Sequence, residues 1–153
     1  MALIEVGAKA PAVPGVAFGD GPVALLFYKD SCPVCQMAAP VSAAFEAAMP
    51  GRLVGVGQDD EARRARFAET YGFAARSVGD LPPYDVSNAY GIVSVPTLVL
   101  VGRDGVVADV SGAWDRTAWN RIAATMAGDL GVPPVTESEA SDGRSEEHTS
   151  ELQ

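Results

Sequence analysis

Two cysteines, Cys32 and Cys35, are the only thiols in the 153-residue chain, and they stand three positions apart in the run Lys29-Asp30-Ser31-Cys32-Pro33-Val34-Cys35. Thiols at that spacing can close a small disulfide ring across one helical turn. The apolar stretch Val23 to Tyr28 before them reads as a strand buried on both faces. After them Met37, Val41, Ala44, Phe45 and Ala48 recur at helical spacing, which predicts one helix from Pro33 to about Met49, closed by Pro50-Gly51. Pro33 suits the first turn because its missing N–H would have no helical partner there. At such a joint the unpaired N–H groups and the positive helix end favour thiolate over thiol at Cys32. Cys32 is the expected nucleophile, and Cys35, one turn in and expected to be more buried, the thiol that resolves a mixed disulfide.

Other uses of the pair fit less well. A zinc site needs three or four ligands, and the only histidine, His148, lies in a C-terminal segment outside the expected domain. A purely structural disulfide would close too short a loop to restrain the unfolded chain much. Two inert buried thiols would not be expected at a helix start, where exposure and reactivity are the rule.

The net charge of −9 and the lack of any Lys/Arg-rich run exclude the counterion-release term that drives nucleic-acid binding. Arg63, Arg64 and Arg66 are expected to line the solvent face of one helix. No apolar stretch approaches membrane-spanning length, and Met1 to Ala12 carry no secretory pattern, so the expected compartment is the cytoplasm if Met1 is the true start.

The elements that must position the cysteines can be read outward from them. Val16-Ala17-Phe18 and Val23 to Tyr28, joined by Gly19-Asp20-Gly21-Pro22, predict an N-terminal hairpin. Leu53 to Val56 predicts the next strand, and a helix from about Asp60 to Tyr71 ends at Gly72; a right-handed crossover makes the flanking strands parallel. Arg76 to Val78 suggests a further short strand, Pro82-Pro83 a break, and Val86 to Tyr90 a turn or two of helix. Thr97 to Val101 and Val106 to Val110 flank Asp104-Gly105 as an antiparallel hairpin. A last helix begins at the cap Asp115, with Trp119, Ile122, Ala123 and Met126 on one stripe. This order describes one α/β domain over residues 1–134, a central mixed sheet with helices on both faces. Residues 135–153 have the composition of a disordered tail, and within it residues 144–153 resemble the translation of a sequencing adapter.

A second motif completes a pattern. Val95-Pro96-Thr97 leads into a strand, with Pro96 sixty-one residues after Cys35, Pro40 inside the first helix and Gly112-Ala113 later. Together with Cys-Pro-Val-Cys after an apolar strand, these residues resemble the thioredoxin superfamily from about Val16 to Leu130. The longer Cys35-to-Pro96 spacing, with an inserted element at Phe73 to Asp85, is similar to the redoxin branch, the TlpA-like and AhpC/TSA-like proteins. The resemblance implies a thioredoxin fold with a cis Val95–Pro96 bond facing the disulfide. It implies Cys32 and Cys35 as catalytic residues and a substrate surface of Pro33, Val34, Val95 and Pro96.

What it implies for function is a thiol–disulfide oxidoreductase with a reversible Cys32–Cys35 disulfide and no metal or organic cofactor. Its partners would be protein or small-molecule disulfides and an upstream dithiol or disulfide, with neither nucleic acid nor membrane. Peroxide reduction, the antioxidant activity of the same branch, needs a Thr or Ser three residues before the reactive cysteine, where Lys29 stands. A third reading is a thioredoxin-like module that binds extended peptides and uses its cysteines as a redox sensor. Two further departures from thioredoxin are Leu26, where that family has a buried Asp, and Ser31, where it has Trp. Water, Lys29 or Asp30 would then take over the proton transfer.

Overall fold

The computed structural model describes residues 2–135. The expected tail lies outside the described residues except for Val135, which packs against the core. Five strands form one sheet: β1 (Val23–Tyr28), β2 (Leu53–Gly57), β3 (Arg76–Gly79), β4 (Thr97–Val101) and β5 (Val107–Ser111), in the order β3-β2-β1-β4-β5. The helices are α1 (Pro33–Ala38), α2 (Val41–Ala48), α3 (Glu61–Tyr71), α4 (Asp85–Ala89) and α5 (Arg116–Leu130).

β1 is the middle strand, parallel to β2 and antiparallel to β4, and all six of its residues are buried. Its alternating side chains divide between two cores. Ala24, Leu26 and Tyr28 join the apolar faces of α1, α2, α3 and α5. Val23, Leu25 and Phe27 join Val86 of α4, Tyr90 and the N-terminal residues Ala10 and Val13. Among the described residues no helix is long and apolar enough to cross a membrane.

Three expectations are corrected. The N-terminal hairpin does not form, because β2 and β4 already occupy both edges of β1; Val16 and Phe18 instead pack their side chains against the second core. The N-terminal chain pairs elsewhere: Gly7 N–H donates to Val107, Val107 N–H to Ala8 and Ala10 N–H to Gly105, all through backbone carbonyls. The helix after the cysteines is two helices, since Pro40 has no N–H to give the preceding turn and its ring crowds it. Arg64 is not on a solvent face. Its side chain lies across Gly57 and Gly79, donating to the carbonyl of Asp59 at 3.1 Å and to the Ser77 hydroxyl at 2.9 Å.

The other boundaries follow their local signals. Asp60 caps α3 through the Arg63 N–H at 2.9 Å, and Gly72 ends it in the left-handed conformation. Asp115 caps α5 through the Ala118 N–H at 3.3 Å. α4 is capped from a distance: the buried carboxylate of Asp80 accepts the N–H groups of Val86 and Ser87 at 3.2 and 2.8 Å.

The floor between β1 and β2 is built on Gly55, over which the rings of Tyr28 and Phe73 close. A Cβ there would stand 2.8 Å from the Tyr28 ring and 2.9 Å from that of Phe73, both buried. Gly55→Ala is expected to cost about 1–3 kcal/mol by overpacking. Urea unfolding should show a lower midpoint with an unchanged slope.

Candidate active site

Parallel strands β1 and β2 end on the same side of the sheet, and the chain leaving β1 carries Lys29 to Ser31 directly into α1. Both backbone polar groups of Asp30 are held. Its N–H donates to the Asp59 carboxylate at 2.7 Å, and its carbonyl accepts from the Gln36 side chain at 2.8 Å. Cys32 follows with extended backbone and is itself the cap of α1: its sulfur accepts the Cys35 N–H at 3.1 Å. Opposite stands the turn before β4. Its Val95–Pro96 bond is cis, and Thr97, buried, donates its hydroxyl to the Ser94 carbonyl at 2.7 Å. The Ser94 hydroxyl ties this turn to the Gly112 carbonyl at 3.2 Å. The Cys32 thiol points across the gap to the Val95 carbonyl oxygen, 3.6 Å away.

Both cysteines are free thiols, and their environments differ. The hydrogen bond from the Cys35 thiol, above all, and then the N–H groups of Cys35 and Val34 and the charge of Lys29, lower Cys32 from the ordinary 9.0 to about 6, against an opposing effect of burial. The same hydrogen bond, together with burial, pushes the Cys35 thiol far up. Cys32 is thus the sulfur biased toward thiolate, and Cys35 the one biased toward keeping its proton.

Access is narrower than the helix-tip position suggests. Cys32 is only 7% exposed, and Cys35 3%. Cys32 meets solvent through a cleft of about 500 Å3 lined by Lys29, Ser31, Pro33, Gln58 and the segment Ile92 to Val95. Of the four residues expected at a substrate surface, Pro33 and Val95 line this cleft. Val34 does not: α1 lies with Val34, Cys35 and Ala38 turned into the core. Pro96 is buried.

Sequence reading missed Gln36, Gln58, Asp59 and Thr97. Asp59 and Gln58 follow β2, beside the end of β1, the edge of a parallel sheet where sites form. Burial holds the Asp59 carboxyl above its usual range. Leu26, 4% exposed, belongs to the core cluster that holds both cysteines, and Asp30, named as a stand-in for the absent carboxylate, lies 4.0 Å from Arg63. Among the described residues no three His, Cys, Asp or Glu side chains gather as metal ligands would.

Comparison with known proteins agrees with this architecture. The profile of the AhpC/TSA family matches residues 16–110, more than half of the chain. No curated protein sequence matches. Among solved structures, the thioredoxin domain of a thiol-disulfide oxidoreductase from Bacteroides vulgatus is 22% identical with a TM-score of 0.61, over 71% of this chain and 89% of that one. A thioredoxin-family thiol:disulfide interchange protein from Chlorobium tepidum is 19% identical, TM-score 0.63, over 80% and 98%. MTB DsbF, solved in mixed oxidised and reduced forms, is 28% identical, TM-score 0.53, over 61% and 70%.

The depressed thiol sets a pH profile. Iodoacetamide alkylation of Cys32 should rise with pH through a midpoint of about 6 and level off above it, since only the thiolate reacts. In Cys35→Ala, which removes the largest stabilising hydrogen bond, the midpoint should move upward.

Proposed function

This chain belongs to the AhpC/TSA family and has the fold of the thiol–disulfide oxidoreductases, and we propose that it reduces disulfides by exchange through Cys32 and Cys35. The observation that carries the reading is the unequal pair: a Cys32 sulfur that caps α1 by accepting the Cys35 N–H at 3.1 Å and lines the cleft with Val95, and a Cys35 thiol turned into the core.

In this mechanism the Cys32 thiolate attacks one sulfur of the substrate; that S–S bond breaks and a Cys32 mixed disulfide forms as the first substrate thiolate leaves. Forming it discharges Cys32. The largest cause of the raised Cys35 pKa is its hydrogen bond to that sulfur, so the Cys35 proton is then held less tightly and passes to the departing thiolate or to solvent. Cys35 displaces the second substrate thiol and the Cys32–Cys35 disulfide closes. An external dithiol partner resets the pair. Val95, beside Cys32 in the cleft, offers backbone to an extended substrate segment. Lys29 stands where peroxide-reducing relatives need Thr or Ser, which favours disulfide over peroxide as substrate.

Cys32→Ser is expected to abolish insulin-type disulfide reduction, and Cys35→Ser to accumulate mixed disulfides visible on non-reducing gels. Full turnover by either variant, or peroxide consumption by wild type far outpacing disulfide reduction, would overturn the assignment.

A further inference from the structure

The cleft beside Cys32 is not electrostatically typical of its chain. The protein carries a net charge of −9, a field that holds anionic substrates off. Yet one wall presents Lys29, exposed, and among the described residues no carboxylate pairs with its ammonium group. The neighbouring acids are engaged elsewhere: Asp30 faces Arg63 at 4.0 Å, and Asp59 accepts the Asp30 N–H at 2.7 Å.

Beside Lys29 the cleft holds a carboxamide in a fixed position. The Gln58 side-chain nitrogen donates to the Ser87 hydroxyl at 3.1 Å, Ser87 is 4% exposed, and the Ser87 N–H is anchored in turn on the buried Asp80 carboxylate at 2.8 Å. The Gln58 carbonyl oxygen has no protein partner among the described residues and remains free to accept one. The segment Ile92 to Val95 adds apolar side chains to the cleft, with Ile92 half-buried and Val93 76% exposed, beside the hydroxyl of Ser94. A cleft of about 500 Å3 falls in the range of small-ligand sites, roughly 300–1,000 Å3.

We propose that this cleft selects small peptide disulfides that carry a carboxylate near the reacting sulfur, with Lys29 meeting the carboxylate and Gln58 the adjoining amide. The selection rests on the exchange reaction proposed above. Cys32 thiolate and R–S–S–R give Cys32–S–S–R and RS⁻, and closure by Cys35 releases the second R–S group. Two electrons and two protons pass from the dithiol to R–S–S–R, which becomes two RSH. Dithiothreitol, as the external dithiol, restores the reduced pair.

The test compares kcat/KM at low ionic strength for oxidised glutathione, neutral hydroxyethyl disulfide and cationic cystamine. Wild type should prefer glutathione disulfide over the neutral compound and the neutral compound over cystamine. Lys29→Met should lower the glutathione-to-neutral ratio about two- to fivefold, the range of an exposed ion pair. Lys29→Glu should turn the order toward cystamine, which a change in thiolate fraction alone could not do because it would move all three substrates together. In 1 M salt, where the screening length is about 3 Å, the wild-type preference should shrink. Gln58→Leu should raise KM for glutathione disulfide more than for hydroxyethyl disulfide. Equal ratios in wild type, Lys29→Met and Lys29→Glu would overturn the inference while leaving disulfide exchange standing. Failure to reduce any of the three would instead overturn the exchange reading itself.

Discussion

The hydrogen bond from the Cys35 N–H to the Cys32 sulfur is the constraint on which the reactive end of the molecule depends. A helix start leaves N–H groups without partners, and here the acceptor that satisfies one of them is a sulfur atom, 3.1 Å away. The same turn brings the Cys35 thiol to that sulfur, so backbone and side chain stabilise one negative charge together. Reactivity at Cys32 and restraint at Cys35 are two sides of a single local geometry.

That geometry is held from outside the helix. Asp59, beyond the end of β2, holds the Asp30 N–H and Gln36, on α1, its carbonyl, so the approach to Cys32 is fixed at both backbone groups. Thr97 and Ser94 fix the facing turn, which sets the Val95 carbonyl against the thiol. Leu26 lies in the same apolar core cluster as both cysteines. The charge that holds the Cys35 proton is then the Cys32 sulfur itself, a group whose charge disappears when it reacts. A site built this way keeps its proton until bonding at Cys32 releases it.

The segment between β2 and β4 serves the same end of the sheet. β3 extends the parallel edge beyond β2, Arg64 bridges Gly57 and Gly79 across it, and Asp80 reaches from the end of β3 to cap α4. Ser87 on α4 then holds Gln58 at the cleft. A surface element is joined to the site through two buried polar groups, each satisfied, which makes the position of Gln58 a consequence of the fold rather than of its own rotamer freedom.

Much of this could be read in the residues. The cysteine spacing, the apolar run of β1, the caps at Asp60 and Asp115, the stop at Gly72 and the Val-Pro-Thr turn all act within a few residues of themselves. Backbone propensity, capping and side-chain periodicity therefore determined the order of elements and the identity of the reactive pair. What they could not determine was competition among distant parts. Val16 to Phe18 has the composition of a strand and finds no free edge on β1, because β2 and β4 take both of its sides. Arg64 looks like a surface arginine and is drawn over two glycines that have no side chains to exclude it. Asp59, Gln58 and Thr97 acquire their roles only when the sheet sets its strand ends beside the cysteines. Sequence specifies what each segment can form; hydrogen-bond saturation and packing in three dimensions decide which possibilities are realised and which side chains meet.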